Sequence, residues 1–297
     1  MNEQPEPDAP DSANVNPTCW DAAKYESAAG YVAAELGSDV LAWLQDAGRS
    51  AAGGPSNLSV LQDLRGRRVL DLGCGDGDLS QRLLAAGAEL AAFDSSPEMV
   101  AAAVARGVPA VVLDAVDVDQ PAEWRERFEL VFTNAVLHWI ADHSRVFAGV
   151  RQVRRQGGVF AGECGGGDNV QIIRSAVTQA CADFGYWSPR ENAGRAQAGL
   201  FPWNFVSPED FRTNLERAGL RVLEFHCFKR RPVLPEGVVG WLDAFGSSIV
   251  PEVQGSARRD LWERAAEHAR AGLYAGEAGV WHADYTRLRW LAVRESL

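Results

Sequence analysis

A glycine-rich turn between a short apolar run and a helical pattern constrains the fold of this chain more than any other feature. The apolar run is Arg68 to Leu72, and it leads into Asp71-Leu72-Gly73-Cys74-Gly75-Asp76-Gly77. Leu79 to Ala86 follows with helical spacing, and Leu90 to Phe93 is a second apolar run that ends at Asp94. A strand, a tight turn, a helix and a second strand in this order predict a β-α-β unit, which implies a parallel sheet.

The alternation of apolar runs and helical patterns continues along the rest of the chain. Ser96-Pro97-Glu98 and Ser207-Pro208-Glu209 each supply an N-cap, a proline and an early acid, which is typical of a helix start. The remaining candidate strands lie at 110–113, 130–133, 159–163, 221–228 and 284–293, and the remaining candidate helices lie at 144–155, 168–184 and 236–275. We therefore predict a doubly wound α/β fold with a mainly parallel seven-stranded sheet, N-terminal helices and a helical insertion before the last strand.

The composition disfavours several classes of function. The chain has 40 acidic and 29 basic residues and a net charge of -11, which argues against a protein that holds nucleic acid or a membrane surface by its charge. No apolar run approaches the ~20 residues that cross a bilayer, and the first residues lack a secretory pattern. The five cysteines lack the spacing of a disulfide framework or a zinc site. We expect a cytoplasmic protein without a bound metal.

The acids around the glycine turn indicate the charge of the ligand. A glycine turn that opens a helix lets the backbone approach a nucleotide-like ligand, and Asp94 is placed to accept hydrogen bonds from ribose hydroxyls. Asp71, Asp76 and Asp78 would repel the pyrophosphate of a dinucleotide but would suit the ammonium and sulfonium groups of S-adenosylmethionine. Asp78 also stands where the dinucleotide fingerprint has its third glycine.

Three segments resemble motifs of the class I S-adenosylmethionine-dependent methyltransferases. Residues 69–77 resemble motif I, Phe93-Asp94-Ser95-Ser96-Pro97-Glu98-Met99 resembles motif II, and Phe132-Thr133-Asn134-Ala135-Val136-Leu137-His138-Trp139 resembles the motif IV region. Arg154-Arg155-Gln156-Gly157-Gly158 is similar to the turn before the fifth strand, where the family commonly has a proline at the position of Gln156. The resemblance covers Trp20 to about Glu163 and is closest to the type 11, trans-aconitate methyltransferase-like branch of small-molecule enzymes.

The resemblance implies a set of cofactor-binding residues. Asp71 and the backbone of Gly73, Cys74 and Gly75 would hold the methionyl end of S-adenosylmethionine, with Asn134 contacting it from the fourth strand. Asp94 would hold the ribose, Ser95 and Met99 would lie along the nucleoside, and Asp114 and Ala115 would recognise the adenine. Trp20 and Tyr25 resemble a W-x-x-x-x-Y segment that covers the cofactor in this branch. For Met99 a core position, and for Asp114 a simple turn position, remain alternatives.

The sequence indicates the methyl acceptor less clearly than the cofactor. Methyl transfer from a sulfonium is an in-line displacement, which depends on alignment and exclusion of water, and a carboxylate acceptor needs no base whereas a hydroxyl does. His138 is the candidate base, and the alternative is that it orders its loop. Trp139 and Trp203 are candidate contacts to the substrate, and core packing is the alternative for each aromatic residue.

Five basic residues near the C-terminus suit an anionic acceptor. They are Lys229, Arg230, Arg231, Arg287 and Arg289, of which Arg287 is the candidate substrate ligand. Arg287 and Arg289 would share one face of the last strand, and such a charge pattern predicts a solvated face more often than a binding site.

These features predict a domain organisation. Residues 1–17 carry four acids and four prolines with little to bury and are expected to be a disordered tail, followed by N-terminal lid helices at 18–49 and a flexible segment at 50–59. The cofactor-binding core would span 60–167. Residues 168–297 would complete the sheet and carry the substrate-binding lobe, with the helical insertion at about 236–275.

The sequence predicts an enzyme that methylates a small molecule on a carboxylate or hydroxyl oxygen, without a nucleic-acid or membrane partner. Two alternatives stay open. A nicotinamide-dependent oxidoreductase would use the same kind of glycine turn. The other is an interaction protein that binds the cofactor without turnover, which would explain why the sequence offers no clear catalytic side chain.

Overall fold

The computed structural model describes residues 31–50, 56–186, 201–246, 249–275 and 279–294. The predicted tail at 1–17, as well as Trp20 and Tyr25, lies outside these residues. Within the described ranges no helix is long and apolar enough to cross a membrane.

The centre of the fold is a seven-stranded sheet whose strands run in the order β3-β2-β1-β4-β5-β9-β6. Strands β1 to β5 are parallel to one another, and β9 runs antiparallel between β5 and β6. This confirms the predicted fold class. The strands are β1 (Arg68–Leu72), β2 (Glu89–Asp94), β3 (Ala110–Val112), β4 (Phe128–Asn134), β5 (Arg154–Gly165), β6 (Leu220–Arg230) and β9 (Tyr285–Arg294), and a separate hairpin is formed by β7 (Tyr274–Ala275) and β8 (Val280–Trp281).

Helices cover both faces of the sheet, and several begin where the sequence signals predict. The hydroxyl of Ser96 accepts a hydrogen bond from the Met99 amide, and the hydroxyl of Ser207 does the same for Asp210, so both caps satisfy an orphan amide of the first turn. The helices are α1 (Tyr31–Ser50), α2 (Asp78–Ala85), α3 (Pro97–Ala105), α4 (His143–Val153), α5 (Gln171–Asp183), α6 (Pro208–Arg217), α7 (Gly237–Phe245) and α8 (Gly255–Leu273).

The structure differs from the local predictions at the N-terminal side. The described part of the predicted lid helices at 18–49 is one continuous helix, α1, which ends at Ser50. The segment expected to be flexible contains a 3-10 helix at Ser56–Leu61. Leu58, Val60 and Leu61 are buried against α1, and this burial accounts for the ordered structure of the described part, from Ser56 on.

The described residues form three large buried clusters and a small fourth one around Cys74 and Ala92. One joins the sheet to α4 and α6, and another joins the opposite face to α1 and α2. The third lies apart from the sheet, where α5, α7 and α8 pack together around Trp262, Leu261 and Val177. This lobe, formed by α5, α7 and α8, meets the sheet at β9, where Tyr285 belongs to the same cluster and accepts a hydrogen bond from Trp241.

Candidate active site

A cavity opens at the carboxyl edge of the parallel strands, beside β1, where the strand order reverses. Folds of this type bind ligands at this point because connections leave on opposite faces and open a crevice. The residues that line the cavity come from the ends of four neighbouring strands and the segments that follow them: Gly73, Gly75, Phe93, Asp94, Ser95, Met99, Leu113, Asp114, Ala115, Asn134, Ala135, Val136, Trp139 and Ile140.

Two positions of the turn after β1 need glycine, because of their backbone angles and their neighbours. Gly73 and Gly75 have φ angles of 73° and 55°, in the left-handed region that other residues adopt at a cost. A β-carbon on Gly73 would lie 2.3 Å from Val136, whereas one on Gly75 would meet nothing and would project into open space. Gly73 is therefore needed for packing, and Gly75 leaves room for a ligand close to the backbone.

Asp94 closes the turn and faces the cavity. Its carboxylate accepts hydrogen bonds from the Gly75 amide at 3.0 Å and the Ser96 amide at 2.9 Å, so it ties the turn after β1 to the end of β2. Burial raises the pKa of Asp94, and these amide bonds oppose the increase. Each oxygen keeps a second lone pair, which can accept from a hydroxyl in the cavity.

Asp71 and Cys74 lie behind the cavity wall. The Asp71 carboxyl is 2% exposed and accepts a hydrogen bond of 2.5 Å from the Ser80 hydroxyl of α2. Burial raises its pKa to about 7, an effect that the Ser80 bond reduces and the Asp94 charge increases. The Cys74 side chain packs on Ala92 in a small apolar cluster. Asp71 does not line the cavity, so its charge can act on a bound ligand only through space.

Two acids of the glycine turn are paired with arginines and do not face the ligand space, contrary to the prediction. Asp76 pairs with Arg106 at 2.9 Å, and Asp78 pairs with Arg82 at 3.1 Å one helical turn later. Neither acid lines the cavity. The carboxylates that face the ligand space are Asp94 and Asp114, which follow β2 and β3, so the anionic character of the site comes from neighbouring strand ends and not from the turn itself.

The far side of the cavity has the chemistry of a nucleoside pocket. Asp114 follows β3, and its carboxylate accepts from the Val116 amide at 3.1 Å, which orders a 3-10 turn at Ala115–Asp117. Met99 and Leu113 supply apolar surface beside this acceptor. Aromatic bases fit between apolar side chains and hydrogen-bond to a few polar groups at the edge.

The end of β4 supplies a polar atom without a partner. The side-chain oxygen of Asn134 is buried and, within the described residues, accepts no hydrogen bond. The next residue, Ala135, has a φ of 60°, which is strained for a residue with a β-carbon, and its amide donates to the Glu163 carbonyl at 2.8 Å. A buried, unpaired carbonyl oxygen that faces a cavity suits a cationic donor such as an ammonium group.

His138 lies in a 3-10 turn, Leu137–Trp139, directly beyond the cavity. It is 8% exposed, and its Nδ1 accepts a hydrogen bond from the Gly165 amide at 3.2 Å. Its pKa is well below the usual value because the ring is buried, with further lowering by the charge of Arg287 and by His143. His138 is thus a neutral imidazole with one nitrogen already occupied.

The candidate aromatic contacts lie around His138. Trp139 lines the cavity, and its ring lies 5.5 Å from that of His138. Trp203 does not line the cavity but packs on Trp139 at 5.8 Å, and Phe205 packs on His138 at 5.7 Å. The segment 201–206 is held there because the Asn204 amide donates to the His138 carbonyl at 2.7 Å.

A buried ionic cluster lies at the adjacent ends of β5, β9 and β6, and we call Glu163, Arg230, Arg287 and Arg289 the arginine cluster. Glu163 is fully buried and accepts from Arg287 at 2.9 Å and from Arg289 at 2.8 and 2.5 Å. Arg230 lies 3.6 Å from the same carboxylate and 3.3 Å from the exposed Asp39. The prediction that Arg287 and Arg289 form a solvated face is therefore wrong, since they are 5% and 9% exposed.

The arginine cluster has an excess of positive charge. Three guanidinium groups share one buried carboxylate, and Nη1 of Arg230 is buried with no hydrogen-bond partner in the described residues. The rings of Trp43 and Phe228 lie 5.3 and 5.1 Å from the Arg289 guanidinium and limit its contact with water. Lys229 and Arg231, the other basic residues in this stretch, are exposed and bond to Asp168 and the Gly272 carbonyl. A buried excess of guanidinium groups favours an anion.

The described ranges contain no group of three or more His, Cys, Asp or Glu side chains that could hold a metal ion.

Comparison with known proteins agrees with this geometry. Residues 70–162 match a family described as a methyltransferase domain. A Schizosaccharomyces pombe protein named "Uncharacterized methyltransferase C70.08c" is 31% identical over 232 residues, which are 76% of this chain and 86% of that protein. The chain belongs to the class I methyltransferases. The matched domain is of type 11, and this methyltransferase uses S-adenosylmethionine.

Two further similarities describe the range of relatives. A protein of Acidovorax ebreus named trans-aconitate 2-methyltransferase is 29% identical to this methyltransferase over 231 residues, 75% of this chain and 82% of that protein. A candidate methyltransferase of Bacillus halodurans, known from a crystal structure, is 16% identical with a TM-score of 0.52 and covers 82% of this chain and all of its own. The second similarity concerns the fold alone. Family membership decides against the nicotinamide alternative.

The structure brings together most of the candidate residues and adds others. Eight of the candidate cofactor residues line the cavity: Gly73, Gly75, Asp94, Ser95, Met99, Asp114, Ala115 and Asn134. Phe93, Leu113, Ala135, Val136 and Ile140 line it too, and sequence reasoning did not select them. Glu163 was also missed, although it ends a predicted strand as Asp94 and Asn134 do, and the same rule about carboxyl edges would have found it.

Proposed function

We propose that this methyltransferase transfers the methyl group of S-adenosylmethionine to an oxygen atom of a small anionic acid. That oxygen belongs to a carboxylate or to a hydroxyl group of the acid. The observation that carries the proposal is the excess of positive charge in the arginine cluster, adjacent to His138 and the end of β4. Trans-aconitate, named in the Acidovorax relative, is itself a small acid. A cationic cofactor beside an anionic acceptor is electrostatically favourable.

The cavity residues suit S-adenosylmethionine group by group. The unpaired Asn134 oxygen and the glycine turn would hold the methionyl end, and Asp94 would accept from the ribose hydroxyls. Asp114, Ala115 and Met99 would hold the adenine. When bound, the cofactor supplies an electrophilic methyl carbon on a sulfonium, and the protein must align the acceptor with it and exclude water.

Arg287 is the residue most directly available to the acceptor. Its Nε donates to Glu163 at 2.9 Å, and this is its one side-chain hydrogen bond within the described residues. Its charge acts on His138, which lies next to Trp139 at the cavity. We assign Arg287 to a carboxylate of the acceptor, with Arg230 behind it as a second source of positive charge.

The test is a methyl-transfer assay on the full chain with isotopically labelled S-adenosylmethionine and a panel of small carboxylic acids, phenols and amines. We expect turnover of acids, and an Arg287→Gln variant should raise the KM for the acid at least about tenfold without changing the affinity for S-adenosylhomocysteine. Lys229→Gln, an exposed change on the neighbouring strand, is the matched control. Turnover of neutral or cationic acceptors only, or an unchanged KM in Arg287→Gln, contradicts the proposal.

A further inference from the structure

The hydrogen bond to His138 Nδ1 fixes where the imidazole carries its proton. A backbone amide can only donate, so Nδ1 must be the unprotonated nitrogen at the 3.2 Å contact with the Gly165 amide. A neutral ring with a bare Nδ1 has its proton on Nε2. Protonation of Nδ1 would set two N–H groups against each other.

The surroundings hold this ring in place. Phe205 and Trp139 lie against it with centroid distances of 5.7 and 5.5 Å, and the Asn204 amide is bonded to the His138 carbonyl. Gly165 is the last residue of β5, and its partner across the sheet is Arg287. A rotation of the ring would break the Gly165 bond inside a buried site, where an unpaired amide is costly.

The charged groups around the ring also oppose a second proton. Arg287 approaches from β9 and His143 from α4, and both lower the pKa of His138 beyond the effect of burial. Glu163, on β5, is the nearest acid on its strand, but its carboxylate is already held by Arg287 and Arg289. The segment 201–206 contributes aromatic rings, Asn204 and no ionisable side chain.

From this geometry we infer that His138 is not a base but a fixed hydrogen-bond donor, whose Nε2–H binds the acceptor, and that the acceptor atom is therefore an oxygen already ionised in solution. The inference rests on the proposed function and narrows it to the carboxylate of an acid. A base needs a free lone pair, and the Gly165 amide occupies the one that this tautomer offers. Nε2 makes no hydrogen bond within the described part of the chain, and the ring packs on Trp139, which lines the cavity.

The reaction balances without a base. One carboxylate oxygen attacks the methyl carbon, the carbon–sulfur bond breaks, and its electron pair stays on sulfur, so that an anion and a sulfonium become a neutral ester and a thioether. No proton is transferred. His138 would bind the second oxygen of the carboxylate, since a hydrogen bond on the attacking oxygen would weaken it as a nucleophile, and Arg287 would align the same group.

The first test reads the tautomer directly. Full-length protein with 15N-labelled histidine is saturated with S-adenosylhomocysteine, and two-bond 1H–15N spectra are recorded from about pH 6 to about pH 8, the range in which an ordinary histidine titrates. The His138 signals are assigned by their loss in His138→Gln. We expect a protonated Nε2 and a bare Nδ1 throughout. A protonated Nδ1, or titration to imidazolium within this range, overturns the inference.

The second test compares substitutions that keep or remove the donor. Gln offers an acceptor for Gly165 and a donor for the acceptor but cannot serve as a base, whereas Leu offers neither. We expect His138→Gln to keep kcat/KM for an acid within about threefold, and His138→Leu to lose roughly 10- to 100-fold. If His138 is a base, Gln and Leu lose activity alike, by roughly 100-fold or more. His268→Leu, a change on α8 far from the site, is the matched control.

The product and the solvent isotope effect separate the remaining outcomes. A methyl ester, identified by mass spectrometry and by its hydrolysis in mild base, with no rate difference between water and deuterium oxide, supports the inference. An ether formed from a hydroxyl with a slower rate in deuterium oxide overturns it. Failure of the proposed function has a different signature, since no acid in the panel is then methylated even though S-adenosylhomocysteine binds and the tautomer is readable.

Discussion

The two ends of the candidate active site have opposite charge. At the cofactor end, Asp94 and Asp114 face the cavity, and Asp71 lies buried behind it. At the acceptor end, three guanidinium groups surround Glu163. A sulfonium and a carboxylate would each meet the opposite charge, and the reaction neutralises both. This contrast in charge supports the proposal of a cationic cofactor and an anionic acceptor, with His138 and Trp139 between the two ends.

The largest expected effect concerns the acceptor end. Glu163→Gln removes the single buried carboxylate of the arginine cluster and leaves its guanidinium groups uncompensated, which we expect to lower the free energy of unfolding by about 3–5 kcal/mol. Chemical denaturation at neutral pH measures this loss. Glu224→Gln, an exposed change on β6, is the control and should leave stability unchanged within about 0.5 kcal/mol. Equal stability of Glu163→Gln and the parent would mean that the cluster is not held by charge.

At the cofactor end, removal of a buried acid should increase stability, because the ionised Asp71 carboxylate is buried without a positively charged partner among the described residues. The pKa of Asp71 is raised by burial from 3.8 in the unfolded chain to about 7 in the folded one, so the folded state holds the proton more tightly. Stability then falls as the pH rises from about 4 to about 7 and stays at the lower level above it. Asp71→Asn avoids this cost.

We expect Asp71→Asn to be more stable than the parent above pH 7 by roughly 2–4 kcal/mol, and the difference to vanish near pH 4. Denaturation of the ligand-free proteins across this range is the measurement. The serine bond to the Asn oxygen can remain, so the substitution changes mainly the charge. A variant that loses stability at every pH would show that the ionised carboxylate is itself stabilising.

A smaller effect separates the acids that face the cavity from those that do not. Asp94→Ala removes the acceptor placed for the ribose, and we expect the Kd of S-adenosylhomocysteine to rise roughly 10- to 100-fold, as for loss of hydrogen bonds to a charged group. Asp76→Ala removes an equal charge from the same turn, but Asp76 is paired with Arg106 outside the cavity, so its Kd should change less than about threefold. Calorimetric titration of both variants measures this. Equal losses of affinity in Asp94→Ala and Asp76→Ala would mean that the total charge of the turn, and not the position of each acid, determines cofactor binding.

The cofactor end could be predicted because its residues follow one another in short motifs. Gly73, Asp94 and Asn134 each come directly after a predicted strand, and parallel strands bring their carboxyl ends to one edge. The sequence could not show that Asp76 and Asp78 pair with arginines, because Arg106 and Arg82 lie on helices whose rotation is fixed only by packing. It also could not show which way the Asp71 side chain points.

The acceptor end could not be predicted in the same way. Arg287 and Arg289 alternate along a strand as exposed charges do, and only the register of β5, β9 and β6 sets them against Glu163, more than 120 residues earlier. The amide that occupies Nδ1 of His138 belongs to Gly165, a residue with no side chain to attract notice. A tautomer depends on a single hydrogen bond, and no pattern in the sequence encodes it.

Local periodicity and the residues that follow single strands were enough to predict the doubly wound sheet, the glycine turn and the kind of cofactor. Only the folded structure shows which acids line the cavity, that the arginines of the last strand are buried around one carboxylate, and which nitrogen of His138 bonds to Gly165. These features depend on distances between segments far apart in the chain, and such distances are fixed by packing.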